Sequence, residues 1–212
     1  GGGGIGVAQA PFAVAQESTQ KPTIDPDADV TLTIDKRLNP TSIGDHGTGE
    51  ADPKATGNPL KGATFTGTLL NVDKVKPEDL GKLTASNYKD LGATETQTTV
   101  TGTTGNDGKV VLDKSAGLVQ GIWLFKETIA DKVTDTVTQK TYQASEIAPS
   151  TPFIVSLPYT NAAGDGWNYN VTVQPKNTTS GITKEVKDAD KNVGDDIQYL
   201  VKGSIPVIPK DE

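Results

Sequence analysis

The chain of 212 residues contains no cysteine and no methionine, and its only histidine is His46. Without cysteine the chain has no disulfides, no thiolate zinc site and no cysteine nucleophile. Because it also lacks an initiator methionine, we expect a processed or trimmed product. A domain without disulfides needs either a sizeable core or another kind of covalent link.

Long hydrophobic runs and positive charge are also scarce. Hydrophobic residues make up 33% and aromatic residues 5% of the chain, and no apolar run is long enough to cross a membrane. The net charge of -7 argues against nucleic acid or an anionic membrane as a partner. No acid–base pair or nucleophile–base set with suitable spacing is visible, so we expect no enzyme of ordinary turnover and no cofactor.

The chain is instead rich in glycine (23), proline (13) and threonine. β-branched residues favour strands and Gly/Pro favour the turns between them, so this composition predicts many short strands. The turn signals recur at the spacing of a Greek-key β-sandwich, an all-β, Ig-like fold with little helix. The predicted strands lie in VTLTIDKRL, ATFTGTLL, TETQTTVTGT, KVVL, GIWLFKET, TYQASEIA, PFIVSLP and WNYNVTVQPKN. Residues 77–91 are predicted to form a short helix or helical turns.

The composition divides the chain into four parts. Residues 1–16 are a signal-peptide remnant, with Ala13 and Ala15 before Gln16, or a flexible glycine-rich leader. Residues 17–28 are predicted to be an extended leader, and residues 29–179 to be the sandwich. Residues 181–212 begin a new alternating pattern, but they are too few to close a second sandwich. We expect them to be the truncated start of a second Ig-like domain.

Three polar residues occupy inward positions of otherwise apolar strand rows. Lys36 shares a face with Leu32 and Ile34, and Glu127 follows Trp123 and Phe125 on one parity; Asn177 ends the row of Val171 and Val173. One explanation is that each lies at a solvated strand end. However, an unpaired charge in the core costs several kcal/mol. Three inward polar residues, in the first, middle and last strands, therefore favour a chemical role.

That role is an internal crosslink. In an apolar site, desolvation lowers the pKa of an amine and raises that of a carboxyl, so the amine becomes a nucleophile and the carboxyl holds a proton. Lys36 can then attack the Asn177 side chain while Glu127 moves the proton to the departing ammonia. Asp131 and Glu146 are alternative carboxyls, less favoured because neither continues the Trp123–Phe125 row. The expected product is a Lys–Asn isopeptide bond between the first and last strands.

Several stretches together carry a family resemblance: VTLTIDK, NPLKGATF, TGNDGKVVL, WLFKET, PFIVSLPYTN and above all WNYNVTVQPKN. In this order they resemble the N-terminal domain of SpaA-type backbone pilins, the shaft subunits of sortase-assembled pili on Gram-positive cells. The resemblance covers about residues 24–212. It implies a CnaB-type fold in which Lys36, Glu127 and Asn177 form the intramolecular isopeptide set.

The resemblance also implies that Lys176 is the pilin-motif lysine, whose amine is joined to the C-terminal threonine of the next subunit. Lys176 falls on the outward parity of its strand and Asn177 on the inward one. In the tail, Lys184 lies between Ile182 and Val186 as Lys36 follows Ile34, so we expect Lys184 to be the crosslinking lysine of the second domain. We expect no metal site; calcium near Asp188–Asp196 stays open, although a solvated turn is favoured.

The leading functional prediction is a structural subunit of a covalent, secreted pilus (fimbria) anchored to the cell wall. The resemblance implies that its partners are a pilin-specific sortase, neighbouring pilin subunits and, as an open possibility, a host surface ligand. The alternative is the stalk or tip domain of a wall-anchored adhesin, which would bind a host ligand without polymerising. Lys176 in its PKN context discriminates between the two.

Overall fold

The computed structural model describes residues 22–38, 56–161 and 163–177. The predictions for residues 1–21, Lys184, Asp188–Asp196 and the second domain lie outside the described residues. Within them, no helix is long and apolar enough to span a membrane.

Short β-strands dominate the described part of the chain, as the glycine, proline and threonine content predicts. They are β1 (Thr31–Asp35), β2 (Arg37–Leu38), β3 (Asn58–Lys61), β4 (Thr64–Asn71), β5 (Thr94–Thr103), β6 (Lys109–Leu112), β7 (Gly121–Thr128), β8 (Lys132–Asp135), β9 (Thr141–Gln143), β10 (Phe153–Leu157), β11 (Tyr159–Thr160), β12 (Trp167–Asn168), β13 (Asn170–Val173) and β14 (Lys176–Asn177). Short 3-10 turns occur at Pro77–Lys82, Lys114–Ala116 and Ala144–Glu146. The predicted all-β sandwich with little helix is confirmed.

Two layers of strands enclose the core. One layer has the order β10-β7-β4-β5, and the other runs from β13-β1-β6 into β14-β2-β3-β8-β9. The chain passes from β1 to β2 at Lys36, where the neighbouring strand changes from β6 to β3. The Lys36 N–H donates to Gly108 O (2.7 Å), and Leu60 N–H donates to Lys36 O (3.1 Å). Lys36 is therefore held by main-chain hydrogen bonds at the junction of the two sheet segments.

The first and last strands run parallel along one side of this layer. Thr31 pairs with Asn170 and Ile34 with Val173 between β1 and β13. The register continues unchanged into β2 and β14, where Arg37 pairs with Lys176. Parallel neighbours in register share a face of the sheet, so the two strands place matching rows toward the core.

Strand β7 is buried on both faces over its first five residues, 121–125. Its Trp123 and Phe125 belong to the inner cluster between the layers. Its Ile122 and Leu124 belong to an outer cluster on the opposite face, with Leu83 and other residues of the segment between β4 and β5. The segment predicted as helical turns begins with the 3-10 turn Pro77–Lys82 and helps cover this outer face. A strand buried on both faces reads as a continuous apolar run, as in GIWLF.

The strand pairing and bounds differ from the expectations in several respects. A tight turn precedes Lys109, with Gly108 N–H donating to Gly105 O (2.9 Å), but β5 and β6 pair with different strands rather than with each other. Strands β3 and β8 lie outside the predicted strands. WNYNVTVQPKN is divided into β12, β13 and β14.

The start of the described chain lies against the domain. Ile24 is buried, and the Trp167 indole donates to Pro22 O (2.7 Å). Asp25 N–H donates to the Tyr169 hydroxyl (3.0 Å), and the Gln120 amide donates to Asp25 O (2.8 Å). Part of the segment expected to be an extended leader is therefore attached by hydrogen bonds to Gln120, Trp167 and Tyr169.

Candidate functional site

A lysine and a glutamate meet inside the sandwich. Lys36 is 0% and Glu127 6% exposed, and Lys36 Nζ lies 3.1 Å from Glu127 Oε1. The inward positions predicted from strand parity are therefore correct for both residues. A buried pair of this kind gains little net stability, because desolvation of two ions offsets their attraction. Stability alone therefore does not account for its presence.

The two residues reach each other from opposite layers. Lys36 follows Leu32 and Ile34, which are 0% exposed, at the junction of β1 and β2. Glu127 follows the buried Phe125 two residues along β7 and pairs with Phe65 on β4. The alternation of β1 and β7 directs both side chains inward. The contact therefore bridges the two sheets near one end of the apolar core.

A serine completes the surroundings of the carboxyl group. Ser150, which is 6% exposed, donates its N–H (2.7 Å) and its hydroxyl (2.6 Å) to Glu127 Oε1. Sequence reasoning did not select Ser150, because it lies outside the strands and belongs to no alternating row. The prolines in APSTP indicate a restricted backbone around Ser150, but they do not indicate which residue Ser150 contacts.

The other buried carboxylates have different hydrogen-bonding partners. Asp35 accepts from Arg37 Nη2 (3.1 Å) and from Gln174 Nε2 (3.1 Å), which ties the first strand to the segment between β13 and β14. Burial raises the pKa of Asp135, but hydrogen bonds from the Asn58 amide and from following backbone N–H groups outweigh burial and hold that pKa below its usual value. Both carboxylates thus have structural partners of their own.

The alternative carboxyls from the sequence lie elsewhere. Asp131 and Glu146 are both exposed. Glu146 Oε1 also accepts from Gln143 N–H (2.8 Å), where it caps a 3-10 turn. The structure brings only Glu127, among these three residues, into contact with Lys36.

The last strand passes beside this pair. Pro175 is buried, and the continuous register between the first and last strands sets it level with Lys36. One step further, Lys176 pairs with Arg37 and Asn177 pairs with Leu38. Leu38 is buried at 8% exposure, whereas the Arg37 side chain is 27% exposed. The backbone register thus sets Asn177 beside a core position and Lys176 beside a partly exposed one.

A metal site is not apparent in the described ranges. No group of three or more His, Asp or Glu side chains converges within residues 22–38, 56–161 and 163–177.

Comparison with known proteins identifies relatives of this domain. A family model described as "Gram-positive pilin subunit D1, N-terminal domain" matches residues 27–178. Among curated proteins, fimbrial subunit type 1 of Actinomyces viscosus is 37% identical over 203 residues, covering 92% of this chain and 35% of that protein.

Two solved structures share the fold at similar identity. The major pilin SpaD of Corynebacterium diphtheriae has a TM-score of 0.55 and 34% identity, covering 76% of this chain and 34% of that chain. The fimbrial protein FimP of Actinomyces oris has a TM-score of 0.53 and 32% identity, covering 73% of this chain and 31% of that chain. This chain therefore spans about a third of the length of these relatives.

Proposed function

Because this chain belongs to the Gram-positive pilin subunit family, through its N-terminal D1 domain, we propose that it is part of a structural pilus subunit that forms one internal covalent bond and is polymerised by a sortase. The buried contact between Lys36 Nζ and Glu127 Oε1 carries the first half of the proposal. The family is one of structural subunits and not of enzymes, so the internal reaction is a single event in each molecule.

The internal reaction joins Lys36 Nζ to the side-chain carbonyl carbon of Asn177. The new C–N bond replaces the bond from that carbon to the amide nitrogen, which leaves as ammonia. Glu127 takes the proton that the attacking amine loses and delivers it to the departing nitrogen. The atoms balance without an oxidant, a metal or a second substrate.

The strand register supports Asn177 as the partner. Neighbouring strands lie about 4.8 Å apart and each residue rises about 3.3 Å, so a residue and its diagonal neighbour two positions on are about 8 Å apart. Lys36 and Asn177 are diagonal neighbours of this kind, since Asn177 pairs with Leu38. A lysine side chain spans that distance when both residues face the core. Glu127 approaches from the opposite sheet, as a proton carrier between them must.

Intact mass tests the internal bond. The wild-type chain is expected to weigh one ammonia less than its sequence after long incubation. Glu127→Ala and Lys36→Arg are expected to keep the full sequence mass. Glu146→Ala is the matched control, because that glutamate is exposed, and it should lose ammonia as the wild type does. A full mass in the wild type after long incubation would contradict the proposal.

The second half of the proposal assigns Lys176 as the acceptor for polymerisation. Its supporting observation is that it pairs with Arg37, on the row opposite to the buried Leu38. β14 is the outermost strand of its sheet, so one side of Lys176 has no neighbouring strand among the described residues. An amine at this edge can receive the C-terminal threonine of the next subunit. The resulting homopolymer would be a fimbria on the cell surface.

A sortase reaction tests this assignment. Incubation with a pilin sortase and an LPxTG peptide should modify Lys176, which peptide mapping can identify. Lys176→Arg keeps the charge but removes the usable nucleophile, because a guanidinium stays protonated. Lys126→Arg is the control, since Lys126 is exposed on β7 and has no expected role. Modification of Lys176→Arg at the wild-type rate would refute the assignment.

A further inference from the structure

Ser150 makes a double contact with the carboxyl group that the proposed crosslinking reaction uses. Its N–H and its hydroxyl both donate to Glu127 Oε1, at 2.7 Å and 2.6 Å. The same oxygen lies 3.1 Å from Lys36 Nζ. Two hydrogen bonds and the Lys36 amine therefore converge on one carboxyl oxygen, in a site where Ser150 and Glu127 are each 6% exposed.

The fold explains why Ser150 is at this position. It lies three residues before β10, and β10 is the antiparallel neighbour of β7, with Phe153 paired to Phe125. The chain therefore brings the residues just before Phe153 alongside those just after Phe125, which include Glu127. Pro149 and Pro152 flank the serine, and their fixed φ angles restrict the segment.

The two donors of Ser150 respond differently to a proton on Glu127. A backbone N–H can only donate, so it fits the carboxylate form. A serine hydroxyl can donate to a carboxylate and can turn to accept from a carboxylic acid. The hydroxyl can therefore keep its contact with the carboxyl group in both protonation states. A proton carrier must pass through both states while it stays beside the amine.

We propose that Ser150 is a positioning residue for the internal crosslink, which holds the Glu127 carboxyl against Lys36 while the carboxyl exchanges a proton. This inference rests on the proposed function of Lys36, Glu127 and Asn177. It assigns to the Ser150 hydroxyl a role in the rate of bond formation that is separate from any contribution to folding. The reacting atoms remain those of Lys36, Glu127 and Asn177.

The test follows crosslinking in freshly synthesised full chain. Cell-free translation is stopped at intervals in denaturant, and the fraction lacking one ammonia is measured by intact mass. Ser150→Ala is expected to slow bond formation by about 10- to 100-fold, since a small displacement of a reacting group has effects of this size. Pulse proteolysis of parallel aliquots taken without denaturant measures how fast each variant folds.

Ser150→Thr and Ser150→Val form the matched pair, because they share nearly the same shape and only threonine keeps the hydroxyl. Threonine is expected to crosslink several-fold faster than valine, while both fold at similar rates. The same two substitutions in a Lys36→Met background, which cannot crosslink, report their effect on stability alone. Equal rates for threonine and valine would overturn the proposal, as would wild-type speed in Ser150→Ala.

Failure of this inference is distinguishable from failure of the proposed function. If the wild type crosslinks, Glu127→Ala does not, and Ser150→Ala crosslinks at the wild-type rate, only the role of Ser150 is wrong. If the wild type retains its full mass, or Glu127→Ala still loses ammonia, the proposed reaction itself is wrong.

Discussion

The sheet β10-β7-β4-β5 has an apolar cluster on each face, and the polar groups beside the two clusters differ in kind and in burial. The outer cluster contains Leu83, Ile122 and Leu124, and its tyrosine, Tyr88, hydrogen-bonds the Glu95 carboxylate at 2.7 Å. The inner cluster lies beside a lysine and a glutamate that are fully desolvated or nearly so. Strand β7 contributes side chains to both clusters. The different burial of polar groups beside them therefore does not come from the strand propensity of one segment.

The outer cluster indicates that this fold does not need buried charge for packing. The outer cluster buries Leu83 and Ile154 completely, and its members include no charged side chain. A buried ion pair contributes little net stability, and its replacement by apolar residues is often neutral or stabilising. The inner pair therefore gives the fold little net stability, and the proposed crosslink would offset the cost of burying it.

The largest effect is expected from breaking the inner pair on one side only. Lys36→Met or Glu127→Leu leaves one charge buried without its ion-pair partner, which destabilises proteins by about 3–5 kcal/mol. The double variant Lys36→Met/Glu127→Leu removes both charges. We expect its free energy of unfolding, measured in urea, to exceed that of either single variant by about this amount.

None of these three variants can form the crosslink, so the differences among them report the buried charges alone. If the free energy of unfolding of the double variant does not exceed that of the single variants, a single unpaired charge at this site does not destabilise the domain.

A smaller loss is expected from a cavity in the outer cluster. Leu83 is 0% exposed, and Leu83→Ala should lower the free energy of unfolding by about 2–4 kcal/mol. Leu80, which is only partly buried against the same cluster, provides the control, and Leu80→Ala should have a smaller effect. Both variants should still lose one ammonia. A Leu83→Ala chain that folds but keeps its full mass would show that the two clusters are coupled.

Overfilling the inner cluster should have a moderate effect. Gly67 lies opposite Phe125, and an added Cβ would overlap the Phe125 ring. Gly67→Ala is therefore expected to destabilise the domain by about 1–3 kcal/mol, as overpacking does. Gly105→Ala is the control, since its Cβ would meet nothing closer than 4.0 Å. Equal unfolding midpoints in urea for the two variants would argue against tight packing around Phe125.

The smallest effect concerns the rim of the outer cluster. Burial, together with the hydrogen bond to Glu95, raises the pKa of Tyr88 from 10.0 to about 12. The folded state therefore holds this proton more tightly than the unfolded state. The stabilising contribution is complete below pH 10 and declines as the pH rises toward 12.

Tyrosinate absorbance should include the ionisation of Tyr88 near pH 12, and Tyr88→Phe should reduce the absorbance change there by that of one tyrosine. This variant should also lose about 0.5–1.5 kcal/mol at neutral pH, the usual net value of a hydrogen bond. Ionisation of every tyrosine near pH 10 in the folded protein would contradict the assignment.

Much of the inner site was predictable because strand parity is a local property. Side chains two residues apart share a face, so the apolar rows before Lys36 and Glu127 predict that both point inward. The same rule sets Lys176 and Asn177 on opposite rows. The assignment of Asn177 as the amide that reacts, and of Lys176 as the residue that polymerises, stays a prediction.

The sequence by itself determined the class of fold and the inward positions, since composition and period-two alternation depend only on neighbours along the chain. Tertiary structure alone decided which strands pair, because pairing depends on contacts between distant segments. It separated β5 from β6 across the two layers despite their tight turn. It also brought Ser150 from an irregular, proline-flanked segment to the Glu127 carboxyl. No periodic pattern marks such a residue, since its position follows from where β10 lies beside β7.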